Sequence, residues 1–138
     1  MTPLPLIALL LAAASPAPSL LGLGELPPQP LAKGSCALFL WDRASQQRVV
    51  MATFAPAQIL VMRNGKAVLL PLAGTSGTAV AGFAPHTVYG DGAAQITLDI
   101  TVTPAGDGGG VVRDGAISLT AADGSMIVAP VAGIIGCR

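Results

Sequence analysis

Between Gln95 and Thr103 the chain alternates without a break, with Ile96, Leu98, Ile100 and Val102 on one side and Gln95, Thr97, Asp99, Thr101 and Thr103 on the other. A period of two with one apolar face predicts a half-exposed antiparallel strand. Cys36 to Trp41 is apolar at every position, so Cys36, Leu38 and Leu40 on one face and Ala37, Phe39 and Trp41 on the other predict a strand covered on both sides. After the polar turn Asp42–Gln47, Arg48 to Phe54 is a second β-like run, which Pro56 ends because proline has no N–H for a ladder.

Ala57–Arg63 and Lys66–Leu72 flank Asn64-Gly65. That dipeptide accepts positive φ at both centres of a type I′ turn and predicts a two-residue hairpin. Ile59, Val61, Val68 and Leu70 would then face the core, with Arg63 and Lys66 as solvated ends beside the tip. A further hairpin is expected from Ala116–Thr120, a turn at Ala122-Asp123-Gly124, and a return along Ser125–Ala129. Val131–Cys137 closes the pattern, and Gly133 and Gly136 within it suggest a bulge or a close backbone approach.

Two stretches interrupt the alternation. Gly106–Gly110 reads as a mobile tip, and Gly74–Ala93 as a long irregular stretch with a short strand through Thr78–Phe83. About seven to nine short strands follow, and the fold class is all-β, a small antiparallel barrel or sandwich.

Leu4 to Ala14 is almost wholly Leu, Ile and Ala and runs into small residues, the pattern of a signal peptide over residues 1–14. It is shorter than the roughly 20 apolar residues of a spanning helix, so the mature chain is expected to carry no transmembrane span. Pro16, Pro18, Pro27, Pro28 and Pro30 make residues 15–34 a Pro-rich arm or linker, leaving residues 35–138 as the β-domain. No Cys follows the apolar run directly, which speaks against a lipid anchor.

Composition narrows the function. A chain of 138 residues holds one domain, and at 52% hydrophobic it can bury a core despite its 17 glycines. Seven basic residues balance seven acidic ones and charged residues make up only 10%, which gives no field for nucleic acid. One Trp, one Tyr and three Phe offer few stacking platforms.

The only two cysteines, Cys36 and Cys137, stand at the limits of the β-domain. In an exported chain they read as a disulfide tying its first strand to its last, and the compartment as periplasmic or secreted. One His and no Cys-x-x-Cys give no metal site, and no cofactor motif is present. No catalytic residue is assigned, since no Gly-x-Ser-x-Gly elbow occurs. Ser76, His86, Tyr89 and Asp91, all within the 74–93 stretch, form the candidate binding loop.

The layout of a leader, a small antiparallel β-domain and cysteines near both its ends resembles the bacterial periplasmic inhibitors of c-type lysozyme. Those present a Ser-Gly-x-x-Tyr element; here Ser76-Gly77-Thr78-Ala79 is followed by Val80, and Tyr89 lies further along, so no residue is carried over. The resemblance implies a binding or inhibitory module. The expected function is a non-enzymatic envelope β-domain that binds a protein or small ligand, or has a structural role. The alternatives are a small periplasmic hydrolase using Ser76, His86 and Asp91, and a self-associating envelope protein.

Overall fold

The computed structural model describes residues 2–3, 22–90, 92 and 94–138. The expected leader apart from residues 2–3, the arm over 15–21, and Asp91 lie outside the described residues. Among the described residues there are nine strands and no helix: β1 (Leu23–Gly24), β2 (Cys36–Asp42), β3 (Arg48–Phe54), β4 (Ala57–Arg63), β5 (Lys66–Ser76), β6 (His86–Gly90), β7 (Ala94–Pro104), β8 (Gly110–Ala121) and β9 (Met126–Cys137). No helix among them is long and apolar enough to cross a membrane.

Strands β2 to β9 pair antiparallel in chain order, and β9 returns to β2. The sheet is therefore a closed eight-stranded barrel rather than a sandwich. Eight strands enclose a lumen just wide enough for side chains to fill. The inward set of the alternation fills it: Leu38 and Leu40 of β2, Ile59 and Val61 of β4, Ile96 and Leu98 of β7, Ile117 of β8 and Val131 of β9 are all buried. Each such side chain contributes about 1.5–3 kcal/mol through burial.

The local signals explain the path. Asn64 (φ 51°) and Gly65 (φ 75°) both take positive φ, and Arg63 pairs directly with Lys66, as a two-residue hairpin requires. Phe54 and Ala57 flank the Ala55-Pro56 turn. Gly133 pairs with Leu40, and a Cβ there would collide with the Phe39 carbonyl, so only glycine lets β2 and β9 approach this closely.

Within 74–93 the structure differs from the pattern-based reading in two ways. Much of 74–93 is strand: β5 continues through Ser76 past a bulge between Leu72 and Gly74, β6 begins at His86, and residues 77–85 connect them. The strand expected over Thr78–Phe83 is a single bridge between Val80 and Phe83, because Ala81 (φ 52°) and Gly82 (φ 90°) turn the chain back at once. The Gly106–Gly110 tip is a closed turn, in which Ala105 N donates to Gly109 O (2.9 Å) and Gly109 N to Asp107 Oδ1 (3.0 Å).

The arm also contributes structure. Leu23 and Leu26 are buried, and Leu23 and Gly24 pair with Arg63 and Met62 of β4. Leu26 N donates to Arg48 O (2.7 Å), while the Arg48 guanidinium donates back to Leu26 O (3.2 and 3.4 Å) and lies over the Phe39 and Trp41 rings. Two leucines in a Pro-rich stretch thus give it enough apolar surface to dock.

Candidate functional site

The barrel has two ends. At the lower one, Cys36 and Cys137 are direct partners across β2 and β9, joined by a disulfide with Cα atoms 4.0 Å apart. The ladder continues past them, since Gly34 N donates to Arg138 O and Arg138 N to Ser35 O (2.9 Å). Arg138 Nη1 reaches Leu31 O (3.2 Å), which draws the arm to the same end.

The residues of the candidate binding loop fall in different places. Ser76 and His86 are register partners across β5 and β6, and His86 is in turn the partner of Asp99 on β7. Paired residues share a face, so a hydroxyl, an imidazole and a carboxylate stand side by side on the outer wall. His86 Nδ1 and Asp99 Oδ1 lie 2.6 Å apart. Ser76 makes no hydrogen bond to the ring among the described residues. With 45% and 52% of the His86 and Asp99 side chains exposed, the pair stands in open solvent. Nothing there excludes water or aims donors at a developing oxyanion.

Tyr89 points into the lumen and is 2% exposed, and burial pushes its phenol up to about 12. Asp91 lies outside the described residues. Among the described residues no three His, Cys, Asp or Glu side chains stand close enough to hold a metal ion.

The outer wall has a second character on its other side. Val111, Ile134, Phe39, Met51, Leu60 and Leu69 are successive register partners from β8 through β9, β2, β3 and β4 to β5. They form one apolar row around six strands, in contrast to the Thr-rich outer face of β7. Leu69 and Ile134 in that row are well exposed.

At the upper end the lumen is not filled. A vestibule of about 180 Å³ opens there, lined by Arg63, Ala94, Ile96, Leu119, Ala121 and Ile127, with Gln95, Thr120 and Ser125 on its rim. Ala94 and Ala121 are register partners at the ends of β7 and β8, one step above the larger pair Ile96 and Leu119. Two methyl side chains in the last inward layer leave the space open. Arg63 follows Ile59 and Val61 on the inward alternation of β4, so its half-buried side chain lines the mouth. Arg63, expected as a solvated end of the hairpin, instead lines the mouth; the count of inward positions, continued to the strand's last residue, reaches it.

The barrel wall is also incompletely paired toward this end. Lys66–Pro71 of β5 pair with β4 but have no partner on β6 among the described residues, because the short β6 first meets β5 at Leu72. Asp123, on the turn above β8 and β9, accepts both Ser125 N (2.9 Å) and Ser125 Oγ (2.6 Å) on Oδ1, and these bonds lower its pKa.

No protein-family model, curated protein or solved structure matches this chain.

Proposed function

We propose that this chain is a non-enzymatic binding module of the cell envelope, exported by its leader, which holds its ligand at the open upper end of the barrel. The observation that carries this reading is the contrast within the lumen: close-packed from Leu38 to Ile117, yet ending in an unfilled vestibule beside the Arg63 side chain. Concave, mostly apolar openings with a few polar groups are where barrels take ligands. The Cys36–Cys137 disulfide is compatible with the oxidising compartment this role needs.

The small hydrolase is the reading to test against. The disulfide-intact chain is expected to hydrolyse a series of activated esters no faster than buffer does. A rate that disappears in both Ser76→Ala and His86→Ala would overturn the proposal, because it would place chemistry on the Ser76–His86–Asp99 row.

The apolar outer row supports a second reading, pairing with another copy of this chain. A formal net charge of +0 means that two copies meet without a repulsive field. Light scattering on size-exclusion fractions should then show a dimer that Ile134→Glu and Leu69→Glu convert to monomer. A wild-type monomer at high concentration would remove this reading.

A further inference from the structure

Arg63 stands at a mouth where, among the described residues, no carboxylate answers the charge it carries. The two ion pairs among the described residues are Arg43–Asp114 and His86–Asp99, and the Arg63 guanidinium has neither an ion pair nor a hydrogen bond with any described residue. Lys66, its partner across the hairpin, adds a second positive charge at the same rim. Asp123 is not part of the lining, and its Oδ1 is occupied by Ser125. A guanidinium on a half-buried residue, with no partner among the described residues, is open to a bound anion, and its planar fork matches the two oxygens of a carboxylate.

Below the guanidinium the walls become apolar. Ala94, Ile96, Leu119, Ala121 and Ile127 enclose the space of about 180 Å³. For scale, an apolar protein cavity of roughly 150 Å³ accepts benzene. The opening therefore suits a benzene ring or a short alkyl chain below a single anionic head.

We infer that the upper vestibule binds a small monocarboxylate with an apolar tail, the carboxylate on Arg63 and the tail against Ile96, Leu119 and Ile127. This rests on the reading of the chain as a binding module and adds to it the chemical class of the ligand.

The test is calorimetric titration of the disulfide-intact chain with hexanoate, benzoate, hexanol and hexylamine, with backbone amide shifts to locate each site. Hexanoate and benzoate are expected to bind at least about tenfold more tightly than hexanol, the size of one charge-assisted hydrogen-bond pair. Hexylamine should bind more weakly than hexanol, and the shifts should centre on Ile96, Leu119 and Ile127. Arg63→Gln should lower hexanoate to the level of hexanol. Ala121→Leu, which fills the space, should abolish binding of all four. Equal affinities for hexanoate and hexanol, unchanged by Arg63→Gln, would overturn the carboxylate assignment and leave an apolar binding mouth. If none of the four shifts the vestibule amides, the carboxylate assignment and the binding reading fall together.

Discussion

Cys36 and Cys137 tie the barrel wall at its lower end with a covalent bond between neighbouring strands, whereas the upper end leaves Ala94, Ala121 and Arg63 around an open vestibule. Both ends grow from the same alternating strands, and what differs is the last layer. Below, the ladder runs on through Ser35 and Arg138, and the arm is drawn in at Leu31. Above, β5 keeps a partner on one side only from Lys66 to Pro71, among the described residues. The difference teaches where stability and function lie apart. A clasp and a packed middle hold the fold, so the mouth can keep an unfilled space and a charge with no partner among the described residues.

Removing the clasp should have the largest effect. In the chain-entropy model a cross-link over a sequence separation of 101 is worth about 4–5 kcal/mol. The double variant Cys36→Ser, Cys137→Ser is expected to lose that amount in denaturant unfolding; a loss below about 1 kcal/mol would show that the lower end does not depend on it.

Core truncations compare the two ends directly. Leu38→Ala, fully buried next to the clasp, should cost about 2–5 kcal/mol, while Ile127→Ala, 46% exposed at the mouth, should cost less than about 1 kcal/mol. Equal costs would mean that the mouth is packed like the middle.

Tyr89 reports on how far water enters below the vestibule, since it is the partner of Ile96 in the lining. Burial raises its phenol from 10.0 to about 12, so the folded chain holds this proton more tightly than the unfolded one. Its contribution is therefore fully present below pH 10 and is lost as the pH rises to about 12, by about 3 kcal/mol. It is the only tyrosine, so phenolate absorbance follows it without interference. Tyr89→Phe should flatten the alkaline loss of stability; a wild-type phenol titrating near 10.0 would show water reaching the ring.

The smallest effect concerns the arm. Arg48→Ala removes the bonds to Leu26 O and the cation over Phe39 and Trp41, and should cost about 1–2 kcal/mol. Limited proteolysis should then cut near Pro27 while the attachment of Leu31 to Arg138 survives.

Much of this architecture is legible in the alternation. The strict period of β7, the Asn64-Gly65 turn and the stop before Pro56 mark strands that the structure contains. The 74–93 stretch is not legible, because Gly74 sits at a bulge, β6 has five residues of mixed character, and a positive-φ turn occupies the middle. Site neighbours were hidden for a related reason. Which carboxylate meets His86 is decided by the β6–β7 register, which selects Asp99, a residue the alternation had only assigned to the solvent face. The vestibule is a property of six inward positions on four strands, and no local window contains it.

Amide hydrogen exchange on the disulfide-intact chain measures the contrast between the ends most directly. Slow exchange is expected at Leu38, Leu40 and Ile135 beside the clasp, and fast exchange at Ala67 and Leu69, whose amides alternate with those bonded to β4 and face the open side. Equal protection at the two ends, or faster exchange beside Cys36 and Cys137, would contradict a barrel locked below and open above.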